Sequence, residues 1–103
     1  MVEELYKEHL KRKFPAGHGG EEVLGIDLAL LDGDTAGCIE TFITQKKNNN
    51  NLDTWRTAIL GLCYRNLTVV VRELTGEAKE HFKALETMAR LTLEAIINAE
   101  KKA

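Results

Sequence analysis

The chain has 103 residues, a hydrophobic fraction of 44%, a charged fraction of 29% and a formal net charge of -2. That is the size of one domain with the composition of an ordinary globular protein, and no apolar stretch approaches the roughly 20 residues of a membrane-spanning helix. Fourteen basic residues against 16 acidic ones leave no cationic reservoir for neutralising phosphates, which argues against a nucleic-acid partner.

The first segment, 2–14, sets Val2, Leu5, Tyr6, Leu10 and Phe14 at helical spacing on one stripe. Pro15 ends it, because the residue before a proline is pushed out of the helical region. Ala16-Gly17-His18-Gly19-Gly20 comes next as a Gly-rich linker (16–20), which leaves the first helix free to dock loosely or to exchange between subunits.

From 21 to 31 the apolar set is Val23, Leu24, Ile26, Leu28, Leu30 and Leu31. Alternation of Ile26, Leu28 and Leu30 would suit a strand, but the Leu24/Leu28/Leu31 stripe favours a helix. Asp32-Gly33-Asp34-Thr35 reads as a turn, with Asp34 capping a second short helix over 35–46 that buries Cys38, Ile39, Phe42 and Ile43. A single kinked helix is the competing reading of 21–46, since the two stripes are almost in phase.

Asn48 to Asn51 form a polar break, and Asp53 is a good N-cap for the next helix. This central helix is predicted over 54–75, with Trp55, Ile59, Leu62, Cys63, Leu67, Val70 and Leu74 on one face and Gly76 ending it. The last helix, 77–99, buries Phe82, Leu85, Met88, Ala89, Leu93, Ile96 and Ile97, and Glu86 and Arg90 are spaced for an exposed ion pair. The fold class is therefore all-α: a small bundle of four to five helices forming a single helical domain over 1–103.

Chemistry-bearing patterns are sparse. The absence of serine excludes every serine nucleophile. The glycine loop is followed by Glu21 and Glu22, which repel the phosphate such a loop would otherwise hold. The run Asp32, Asp34, Gly37 and Glu40 fails as a calcium-binding loop, because Ala36 and Ile43 fall where oxygen ligands are required. His9, His18 and His81 are far apart in sequence, and Glu77 with His81, one turn apart, reads as an exposed ion pair. Cys38 and Cys63 lack metal spacing and lie among apolar residues, where burial makes a thiol inert. Arg65 and Arg72 read as part of a solvated helix face, and the Asn66-Leu67-Thr68 sequon falls inside a predicted helix.

No catalytic residue and no metal ligand is assigned on these grounds, and no cofactor-binding residue can be named. The expected protein is not an enzyme and carries no cofactor. It is expected to be cytoplasmic, since two cysteines inside predicted helices are too few for a disulfide-built scaffold, and Glu3 and Glu4 stand where a signal peptide would be basic and apolar. A chain of this length buries only about two-thirds of its unfolded surface, and its wide apolar stripes exceed what so small a bundle covers. That surplus points to an interaction module acting as a homodimer, with a second protein as the other candidate partner and neither nucleic acid nor membrane. The alternative is a small-molecule- or metal-binding bundle, with a pocket near Cys63, Tyr64, His81 or Glu77.

Overall fold

The computed structural model describes residues 2–102. Four helices and one short hairpin run in the order α1 (Val2–Lys11), β1 (Glu22–Val23), β2 (Ile26–Asp27), α2 (Leu28–Lys47), α3 (Thr54–Glu73) and α4 (Gly76–Lys102). The molecule is thus mostly helical, as expected, with a two-stranded antiparallel ribbon added. Among the described residues no helix is long and apolar enough to cross a membrane.

The largest departure from expectation lies between residues 21 and 46. Residues 22–27 are a hairpin rather than part of a helix, with Val23 opposite Ile26 and Glu22 opposite Asp27. Leu24 and Gly25 form its two-residue turn, both with positive φ, 52° and 80°. Such turns match the right-handed twist of the strands they join. Asp27 then caps α2 by accepting a hydrogen bond from the Leu30 N–H at 2.9 Å.

Beyond that cap the expected turn at 32–35 is absent. Residues 28–47 form one continuous helix, because Leu28, Leu31, Thr35, Cys38, Ile39 and Phe42 make an unbroken buried stripe at three- and four-residue intervals. Asp34 therefore caps nothing. Thr35 is wholly buried, and its hydroxyl is satisfied by donating to the Leu31 carbonyl at 2.7 Å.

The asparagine break separates α2 from α3 as expected, and Asp53 caps α3 by accepting from the Arg56 N–H at 3.1 Å. Gly76 begins α4 instead of ending α3, whose C-cap is Leu74. Helices α2, α3 and α4 pack pairwise around one core, where Leu28, Ile39, Leu60, Leu67, Phe82 and Leu85 are fully buried. Helix α1 packs against α2 and α4. It runs antiparallel to α2, since Glu3 meets Lys47, Tyr6 meets Glu40 and His9 meets Asp32.

Several residues expected inside are outside. Leu10, Leu24, Leu30, Trp55, Leu62 and Ile97 are all exposed, Trp55 to 68%. Leu10 is displaced from the buried face by His9, which is buried in its place. Arg90 pairs with Glu94 at 2.8 Å rather than with Glu86.

Candidate functional site

Three helices each deliver one polar side chain to a common point. Nε2 of His9, on α1, lies 3.0 Å from Oδ1 of Asp32 on α2, and Nε2 of His81, on α4, lies 2.7 Å from Oδ2 of the same carboxylate. Both histidines are more than nine-tenths buried, at 8% and 6% exposure. Burial of both rings comes from position: His9 falls on the face of α1 turned to the bundle, and His81 sits one residue before Phe82, a fully buried core side chain.

Aromatic rings close the surroundings. The two imidazole centroids are 5.1 Å apart, Phe82 lies 5.1 Å from His81, and Phe14 lies 5.8 Å from His81 and 6.0 Å from Phe82. Edge-to-face contacts of this kind fix ring orientation as well as adding apolar burial. Phe14 comes from the segment after α1, so the chain beyond that helix also packs on the site.

Burial raises the Asp32 carboxyl pKa. The hydrogen bonds from His81 and His9, with the charge of those rings, outweigh that and hold it down at about 2. An ionised carboxylate only accepts, so both imidazoles donate through Nε2–H. Nδ1 of His9 is buried and has no hydrogen-bond partner. Among the described residues no hydroxyl or thiol hydrogen-bonds to the three, so the cluster lacks the nucleophile of a triad-type hydrolase.

This constellation escapes a reading of the sequence, in which the three histidines are distant and Asp32 is a turn residue. Asp32 and His81 are 49 residues apart, and His9 and Asp32 are 23 apart. The expected Glu77–His81 ion pair is not formed: His81 is buried and bonded to Asp32, while Glu77 is exposed. His18 lies in the loop and faces Glu21, its Nδ1 2.7 Å from Oε2.

The other singled-out residues are dispersed. Cys38 and Cys63 are free and buried, and burial pushes both thiols up, away from the reactive thiolate. Glu40 accepts a 2.9 Å hydrogen bond from the Tyr6 hydroxyl. Arg65 and Arg72 are exposed on α3. Asp34 and Gly37 line an open hollow between α2 and α3, together with Gly33, Cys38, Trp55 and Arg56. A second hollow continues it past Leu30 and Leu62, the two sharing Asp34 and Ile59.

Comparison with protein-family models, with curated proteins and with solved structures finds no match.

Proposed function

We propose that the protein is a non-enzymatic helical interaction module that pairs with a second copy of itself through the open α2–α3 face. The observation that supports this most directly is the state of Gly33 and Gly37. Both lie inside α2, one turn apart, and a Cβ built on either would meet nothing within 4 Å. Glycine inside a helix costs about 1 kcal/mol relative to alanine, and no packing within the chain demands it here.

A smooth helix surface is what close approach by another helix requires. Trp55, Leu30 and Leu62 flank it, three exposed large apolar side chains of the kind that anchor interfaces. Asp34 and Arg56 line the same face, so a two-fold arrangement can set opposite charges against each other. A reducing, cytoplasmic setting goes with this reading, given two free, buried cysteines.

The test is the solution mass by light scattering across a wide concentration range. The expected result is a dimer in the wild-type chain and a monomer in Trp55→Glu and Leu62→Glu, whose exposed side chains contribute little to the chain's own core. A wild-type chain that stays monomeric at high concentration would overturn the reading. The ligand-binding alternative has its own specific support in the His9–Asp32–His81 cluster.

A further inference from the structure

We propose that His9, Asp32 and His81 bind one divalent first-row transition ion of the zinc class, and that the ion staples α1 to the α2–α4 body. The inference is independent of pairing through the α2–α3 face. It starts from geometry: one ligand atom from each residue can be chosen so that all lie within 4.8 Å of one another. A tetrahedral ion with bonds of about 2.0–2.2 Å sets its ligands about 3.3 Å apart. The present nitrogen–oxygen separations, 3.0 Å to Oδ1 and 2.7 Å to Oδ2, open to that spacing with shifts of a few tenths of an ångström, and rotation of the carboxylate and the two rings closes the wider separations within the 4.8 Å set.

The donor set chooses the metal. Two imidazoles and one carboxylate suit zinc and its transition-series neighbours, whereas calcium and magnesium favour all-oxygen surroundings. Asp32 is ionised, so the site holds an anionic ligand at the junction of three helices. A solvent-open hollow of about 490 Å³, lined by Arg12, Lys13, Pro15, Glu77, Glu80 and His81, reaches the cluster at His81. It gives an ion a way in and room for a water in the fourth position.

Coordination through Nε2 requires each ring to give up the proton it now donates to Asp32. In His9 the ring's remaining N–H then sits on Nδ1, which has no hydrogen-bond partner to lose, and the metal bond takes the place of the Nε2–H bond to Asp32. The structural effect comes from chain order. Helix α1 contributes His9, and the segment that joins it to the rest contributes Phe14. An ion held by His9 therefore fixes the one helix of the bundle that is not part of the three-helix core.

The experiment uses the untagged full chain, stripped with chelator and then titrated with zinc chloride. The expected result is one equivalent bound and, at a hundredfold excess over Kd, a Tm higher by about 10 °C. His9→Gln and Asp32→Asn each lose the tight equivalent. Calcium and magnesium chloride at the same concentration give no comparable shift.

Nitrogen-15 spectra of the wild-type imidazoles keep the test sharp even if a variant folds poorly. Zinc should move the Nε2 signals of His9 and His81 and leave His18 in place. Failure of the wild-type chain to bind zinc would overturn the proposal. So would zinc that binds His9→Gln and Asp32→Asn as tightly as wild type, or that moves the His18 signals alone.

Discussion

The carboxylate of Asp32 stands between two imidazoles, and its Oδ2 lies 2.7 Å from Nε2 of His81, which is 49 residues further along the chain. No other pair of side chains ties α2 to α4 by a polar bond among the described residues. The contact sits where α1 also arrives, so three helices share the fate of one ionised group.

That group makes the fold sensitive to acid in a definite window. The folded-state value of Asp32, about 2, lies below its ordinary value of 3.8. Its ionisation therefore contributes stability that is fully present above about pH 4 and is lost as the pH falls towards 2. Asp32→Asn should cost about 1–3 kcal/mol at neutral pH. Urea unfolding from pH 6 down to 2 should find the gap between variant and wild type narrowing below pH 4.

An opposite dependence is expected at the alkaline end. Burial, with the Glu40 hydrogen bond, pushes the Tyr6 phenol up to about 12 from its ordinary 10.0. A raised value means that the protonated form is favoured by folding, so the contribution is complete below pH 10 and is lost as the pH rises through 12. Tyr6→Phe should remove this dependence while leaving neutral-pH stability within about 1.5 kcal/mol of wild type. Absorbance titration of the phenolates, followed beside circular dichroism, checks both statements.

Gly33→Ala and Gly37→Ala should each stabilise the isolated chain by about 1 kcal/mol, because both sites are helical and open to an added methyl. The same substitutions should weaken self-association. Denaturant unfolding in dilute solution and light scattering in concentrated solution would then move in opposite directions. If stability rises and the mass is unchanged, the glycines do not serve a helix–helix contact.

Leu24 holds a φ of 52° in the hairpin turn, a conformation that costs an L-residue with a bulky side chain roughly 1–2 kcal/mol. Asparagine tolerates it far better. Leu24→Asn should raise stability by about 0.5–1 kcal/mol, and it also removes an exposed leucine from the surface. Thermal unfolding monitored by circular dichroism is sufficient to see it.

Much of the helical plan is legible in the sequence because local rules and packing agree there. Asp53 caps α3, the asparagines break the chain, and Phe82, Leu85, Met88, Ala89 and Ile96 are buried on α4 as their spacing predicts. Around Asp32 the two disagree. Asp32-Gly33-Asp34 has turn chemistry, yet the stripe from Leu28 to Phe42 buries enough apolar surface to carry the helix straight through it. Leu24-Gly25 is the reverse case: a hairpin turn whose spacing mimics a helix, because its flanking strands are too short to declare an alternation.

The His9–Asp32–His81 cluster is out of reach for a different reason. Its members are joined by tertiary approach alone, and nothing in the spacing of three isolated residues announces that approach. The one local sign is His9 itself. It occupies the inward side of a helix where Leu10 is expected, and a titratable ring in that place calls for a partner across the contact.

Helix α1 differs from its neighbours in how it is held. His9 is its one buried side chain, and Val2, Leu5 and Tyr6 are half-covered. Its attachments are side-chain links to α2 and a half-covered apolar face laid on the core, rather than a fully buried stripe. The architecture is a three-helix body with a clasp, and local opening of that clasp is expected at a lower free energy than global unfolding. Amide exchange should then divide the protein in two: α1 amides exchanging through frequent local release, and those of Leu60, Leu67 and Leu85 waiting for the whole core to come apart. Whatever strengthens or cuts the bond at His9 shifts the first of these openings directly, and the same free energy enters the global unfolding that the core amides report.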